Sequence, residues 1–187
     1  MYNLYQKKLI KEIEFLNADY EYLSDKISET DQLFLEEVDV LLNKYPDLKD
    51  IYKENSVNNY VISESNGEYF DDKSIPKNNK IKKLYRQIVK ETHPDKVSDD
   101  KLNQYYIEAT ENYDSNNVSI LYSISEKLNI KYEMSKDDED LLLEEIKILK
   151  KKIGFLETTF TWKWYNSDNN KEKNRIILKY IKSKIEN

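Results

Sequence analysis

The sequence predicts a mainly α-helical protein, on three observations. Only two glycines and three prolines interrupt 187 residues, so little stops helices from running long. Two stretches repeat apolar residues alternately four and three apart, the spacing of a coiled-coil seam. Between them, shorter segments place apolar residues at i, i+3, i+4 and i+7, which is one face of a helix.

The first seam is Leu9, Ile13, Leu16, Tyr20, Leu23 and Ile27, which predicts a helix near residues 5 to 28. Ser28 or Thr30 is expected to break it and to cap a second helix. That helix has Phe34, Val38, Leu41, Leu42 and Tyr45 on its apolar face. Pro46 ends it, because the residue before proline is pushed out of the helical region. Leu48, Ile51 and Tyr52 suggest one further short helix. Residues 55 to 78 turn to Asn, Ser and Asp, with Tyr60-Val61-Ile62 and Tyr69-Phe70 flanking Asn66-Gly67. This segment reads as a linker or as a short hairpin.

Helix returns near Asn79. Ile81, Leu84, Tyr85, Ile88 and Val89 share one face, and Lys82, Lys83, Arg86, Gln87 and Lys90 lie on the other. His93-Pro94-Asp95 stops this helix, and Ser98 or Asp99 can cap the next. The inner stripe of that next helix is Leu102, Tyr106, Ala109 and Tyr113. Asn116-Asn117 breaks it, and Val118, Leu121, Ile124 and Leu128 form a short third helix. Ser135 then caps a long helix with Asp137 and Asp138 in its first turn, favourable to the helix dipole. Its seam is Leu142, Ile146, Leu149, Ile153, Leu156 and Phe160, with Trp162 and Trp164 beyond. After the polar break Asn166 to Asn170, Ile177, Tyr180, Ile181 and Ile185 make a terminal helix.

In sequence order this gives an N-terminal helical region (1-54), a linker or hairpin (55-78), a helical module (79-130) and a C-terminal helical region (135-187). The seam helices, near 5 to 28 and 138 to 162, match in length. They are expected to pair within one chain as an antiparallel, coiled-coil-like stalk. Monomer is then the expected state, with homodimerisation through a seam as the competing arrangement.

Composition excludes several functions. Without cysteine there is no disulfide, thiolate zinc site or catalytic thiol. A single histidine cannot build a multi-histidine metal site, and two glycines do not make a phosphate-cradling loop. No metal, cofactor or catalytic residue is expected. A net charge of −6 argues against nucleic acid as the partner. No apolar run suits a membrane span or a secretory leader, so an intracellular, cytoplasmic protein is expected. Glu36-Glu37 are adjacent on a helix and face different ways, so they form no acid/base pair.

The informative stretch is Lys80 to Tyr113. It joins Ile81-Lys82-Lys83-Leu84-Tyr85-Arg86 to His93-Pro94-Asp95-Lys96, and then to Tyr106 and Tyr113 seven residues apart. This pattern resembles the J-domain of DnaJ-type co-chaperones, whose signature is the tripeptide His-Pro-Asp (HPD). The resemblance covers about residues 78 to 115, and the module it belongs to extends to 130. It departs from the family in having no Leu-Gly first helix ahead of the basic helix. Leu84 and Asn112 also stand where alanine is usual. The pattern is that of a reduced J-domain, similar to those of some large DNA viruses and protists.

The resemblance implies a protein that is not itself an enzyme. It would bind a DnaK-type chaperone, of the seventy-kilodalton heat-shock class, and stimulate its ATPase. Carried over, the contact loop is His93, Pro94 and Asp95, and the docking face is Lys82, Lys83, Arg86 and Lys90 with Lys96 adjacent. Missing cysteine and scarce glycine leave the class defined by the J-domain alone, whose terminal helices choose a client or anchoring protein. The alternative is a helical structural or adaptor protein whose J-like module no longer activates a chaperone.

Physical reasoning on the residues is compatible with this. Pro94 restricts His93 and fixes the loop locally. From Lys80 to Lys96, six basic residues stand against Glu91 and Asp95, a net of +4 on an acidic chain. Such a face can steer an acidic partner. Tyr85, Tyr106 and Tyr113 read as core, and Trp162 and Trp164 as packing residues rather than partner anchors.

Overall fold

The computed structural model of the protein describes residues 2–59, 79–114 and 117–186. Its described residues form helices α1 (Leu4–Leu42), α2 (Pro46–Asn59), α3 (Asn79–Thr92), α4 (Asp100–Asp114), α5 (Val118–Lys127), α6 (Lys136–Thr158), α7 (Phe160–Tyr165) and α8 (Asn170–Ile185). The mainly α class is as the sequence predicts. The possible hairpin of residues 60–78 lies outside the described residues.

Three boundaries differ from expectation. The second seam helix, expected to reach residue 162, ends at Thr158 as α6, and Thr159, in extended backbone, caps the separate helix α7. No break occurs at Ser28 or Thr30, and α1 runs on to Leu42. The Thr30 hydroxyl does not cap a new helix; it donates back to the Lys26 carbonyl at 2.7 Å. The Lys26–Glu29 ion pair at 2.9 Å spans the same turn. A threonine satisfied in this way is compatible with a continuous helix. Pro46 opens α2 instead of merely closing α1. At a first helical position its missing N–H costs nothing, and α2 reaches Asn59, into the stretch read as linker.

Contacts group the described residues otherwise than sequence order does. One compact unit falls within Met1–Ala18 and Asp72–Lys150, the other within Asp19–Asp71 and Lys151–Asn187. In the first unit Leu9, Ile13 and Leu16 of the first seam are buried, as are Leu142, Ile146 and Leu149 of the second. Gln6 donates to Glu139 at 2.9 Å, and Lys150 meets Glu12 at 2.6 Å. Residue numbers rise together along the two helices, so within this unit α6 runs parallel to α1, not antiparallel. The reason is the route between them. The intervening chain returns to the start of α1 before α6 begins. There Tyr2 bonds Ser125 at 2.5 Å and Lys7 meets Glu126 at 2.9 Å, both on α5.

The start of α6 is fixed by Asp138, which is fully buried. Its carboxylate accepts the Ser135 N–H and hydroxyl, each at 2.7 Å, and the Tyr132 hydroxyl at 3.2 Å. Tyr2 and Tyr122 close the pocket, their rings 6.1 Å apart and edge to face. Burial pushes the Asp138 carboxyl up, but hydrogen bonds from Ser135 and Tyr132 oppose it, and the group lies below its ordinary value. Burial also pushes the Tyr132 hydroxyl up to about 12.

In the second unit, Phe34, Val38, Leu41 and Leu42 of α1 form a core with Ile176, Ile177 and Ile181 of α8. Trp164 and Tyr180 pack edge-on against Phe34, at 5.8 and 5.1 Å. Thr159 caps α7 and Asn169 caps α8, each accepting a backbone N–H three residues on.

Two predictions follow from these burials. Leu16→Asp and Leu149→Asp should each destabilise the protein by roughly 3 kcal/mol or more, because each buries an unpaired charge. Denaturant midpoints read this. Light scattering should give a monomer, and a dimer that dissociates when either seam is charged would place the pairing between chains. Glu145 supplies the second. Its carboxyl lies 2.6 Å from the Ser119 hydroxyl, and burial raises it to about 7 although that bond opposes the rise. A carboxyl raised in the folded state stabilises fully only below its unfolded value of about 4.3. Stability should therefore fall as pH rises from there to about 7. Thermal melts of Glu145→Gln should lack that slope, and an unchanged slope would acquit Glu145.

Candidate functional site

Helices α3 and α4 form an antiparallel hairpin whose pairs are symmetric about the loop between them. Tyr85 stacks flat on Tyr113, ring centroids 4.1 Å apart and planes within 6°. Nearer the loop, His93 meets Tyr106 edge-on at 5.1 Å. The Tyr85 hydroxyl lies 3.4 Å from that of Thr110, whose own proton goes to the Tyr106 carbonyl at 2.8 Å. Ile81, Leu84, Ile88 and Ala109 are buried, and α5 packs against both helices of the hairpin. This apolar face explains why residues 79–114 fold as they do.

The loop is a tight turn. The Lys96 N–H donates to the His93 carbonyl at 2.9 Å, with Pro94 second in the turn, where its fixed φ is favourable. The Asp95 N–H donates to His93 Nδ1 at 3.2 Å, so neutral His93 carries its proton on Nε2. The Asp95 carboxylate lies 3.6 Å from the same nitrogen, and its side chain is 86% exposed. Pro94 is exposed and His93 half-buried. Asp99, one of the two caps the sequence offers, accepts the Leu102 N–H at 3.0 Å and starts α4.

Lys82, Lys83, Arg86 and Lys90 are all exposed on α3, and Lys96 is exposed in the loop. The structure thus brings together the loop and the cations expected from sequence. Elsewhere the helices interleave lysine with acid three residues away: Lys11–Glu14, Lys26–Glu29, Lys136–Glu139 and Lys147–Glu144. Among the described residues, none of the five cations of the hairpin has an ion-pair partner. Lys82–Arg86 and Arg86–Lys90 are like charges at i,i+4, each costing roughly 0.2–0.5 kcal/mol in an isolated helix. Lys90, in the last turn of α3, offsets part of that cost through the helix dipole.

Three sequence readings change in detail. Tyr85, Tyr106 and Tyr113 are half-buried, not full core. Trp164 packs into the second unit's core, while Trp162 sits against the exposed Tyr22 and Tyr165 at 6.5 and 5.9 Å. The contact between Tyr106 and His93 was not foreseen. Pairing symmetric about the loop, once the loop is placed, is the signal that identifies it.

Comparison with protein-family models, curated proteins and solved structures finds no match to this chain. Among the described residues, no helix is long and apolar enough to cross a membrane.

The charge argument predicts that Lys82→Glu, Lys83→Glu and Arg86→Glu together leave helix content unchanged by circular dichroism, since all three side chains point to solvent. The triple variant should lose binding to an acidic partner, and wild-type binding should weaken with added salt. Binding indifferent to both would remove the electrostatic role of this face.

Proposed function

We propose that the protein is a J-domain co-chaperone that binds a DnaK-type ATPase chaperone and stimulates ATP hydrolysis by it. One observation carries this reading: an antiparallel hairpin presents His93-Pro94-Asp95 in its turn and unpaired Lys82, Lys83, Arg86 and Lys90 along its first helix. In this reading the cations orient an acidic chaperone surface, and the turn engages the chaperone's nucleotide domain. The first helix that a full J-domain would place ahead of α3 has no counterpart in the sequence motif; α5 gives the hairpin a packing partner instead. The rest of the chain then selects client or location, and the site of action is cytoplasmic.

The test is single-turnover ATP hydrolysis by a DnaK-type chaperone from the same source. His93→Gln should abolish stimulation and leave the protein folded, at a cost of about 1 kcal/mol for the lost contact of a half-buried ring with Tyr106. Asp95→Asn removes the charge without changing shape and should act alike. Full stimulation by the His93 variant defeats the reading. Unfolding of that variant would make His93 structural and favour an adaptor role.

A further inference from the structure

His93 is held from two sides. Its Nδ1 accepts the Asp95 N–H at 3.2 Å, and the edge of Tyr106 closes on the ring at 5.1 Å and 66°. Its Nε2 has no partner among the described residues, and it is not one of the buried polar atoms left without one. The imidazole therefore has one nitrogen committed to the loop and the other facing water, with a proton on the outward nitrogen when neutral. Within the loop the other group near the ring is the Asp95 carboxylate, 3.6 Å from Nδ1 and beyond hydrogen-bond distance. Pro94 and Asp95 are exposed, and the turn bond from Lys96 reaches the His93 carbonyl, not its side chain.

The backbone at Tyr106 is tied into the hairpin, and its ring is half-buried. Its carbonyl takes the Thr110 hydroxyl, and the Tyr85 hydroxyl reaches Thr110 in turn. The stacked pair Tyr85–Tyr113 lies behind these contacts. A half-buried ring carried on a helix held in this register can limit a neighbour's rotamer.

We propose that Tyr106 is a positioning residue: with the Asp95 amide it sets the His93 ring so that Nε2–H projects as a ready donor to a hydrogen-bond acceptor on the partner. This rests on the co-chaperone reading for its functional consequence, but not for its geometry. Because the ring edge does the holding, Tyr106→Phe should preserve the arrangement and Tyr106→Leu should release it.

The chain has one histidine, so its imidazole protons give unambiguous nuclear magnetic resonance signals. In the wild type these should show cross-relaxation to the Tyr106 ring and shifts away from those of a free histidine. In Tyr106→Leu both should vanish, and maximal ATPase stimulation of a DnaK-type chaperone should fall by about tenfold, within what lost orientation can cost. Tyr106→Phe should keep the signals and the stimulation. Free-histidine signals in the wild type overturn the proposal whatever the variants do. So does a Leu variant with wild-type signals or stimulation, or a Phe variant that behaves like Leu. If the wild type itself fails to stimulate, the co-chaperone reading falls, and the imidazole signals alone decide the positioning.

Discussion

A buried carboxylate organises the first unit. Asp138 has no exposure, and an ion so placed costs several kcal/mol unless donors surround it. Here Ser135 gives two donors and Tyr132 a third. The acid also sits in the first turn of α6, where the helix dipole favours negative charge. Those donors exist only if the segment before α6 curls back over its first turn, and Tyr2 must lie beside Tyr122 for the pocket to close. Tyr2, through its bond to Ser125, thus ties the residues ahead of α1 to α5, while Asp138 fixes the turn that opens α6. Its depressed titration makes that contribution full above the ordinary carboxylate range and lost on acidification.

The hairpin of α3 and α4 owes its shape to other forces. Leu84, Ile88 and Ala109 are wholly buried, and Tyr85 on Tyr113 adds a stacked aromatic contact. None of the five cations takes part. Among the described residues this face contributes no ion pair, and it carries repulsion between successive turns. A solvated face with alternating signs would have served stability better, and α1 and α6 carry such faces.

Much of this was legible in the sequence because it is local. Period and caps mark the helices from Asn79 onward apart from the break at Thr159 that separates α7 from α6, and the seam residues Leu9, Ile13, Leu16, Leu142, Ile146 and Leu149 are buried as expected. What failed was non-local or a matter of degree. A seam repeat says which side of a helix is covered, not the direction of the helix that covers it. Direction depends on how many times the intervening chain reverses. Thr30 was misread because its hydroxyl can cap a helix or bond back within one, and the flanking pattern favours neither. Asp138 was read as a dipole acid. Its burial among Tyr2, Tyr122 and Tyr132 needs three segments far apart in sequence. The proposed loop and cations were legible through a resemblance of motif, while the hold of Tyr106 on His93 required the hairpin's register.

The parallel run of α1 and α6 also bears on how the hairpin is supported. Had the two helices been antiparallel neighbours joined by a short loop, the segment between them would be an excursion free to vary. In the first unit that segment instead supplies α5, whose Leu121, Tyr122 and Ile124 are buried. α5 packs on α3 and α4 on one side and bonds Tyr2 and Lys7 of α1 on the other. The hairpin is thus seated on the unit through α5, and the turn and the basic face of α3 are among the parts of it that reach outward, with the exposed face of α4. Substitutions in the seams should act on those groups through stability, whereas substitutions in the turn or the basic face should act on them directly. That separation lets function be tested without disturbing the fold.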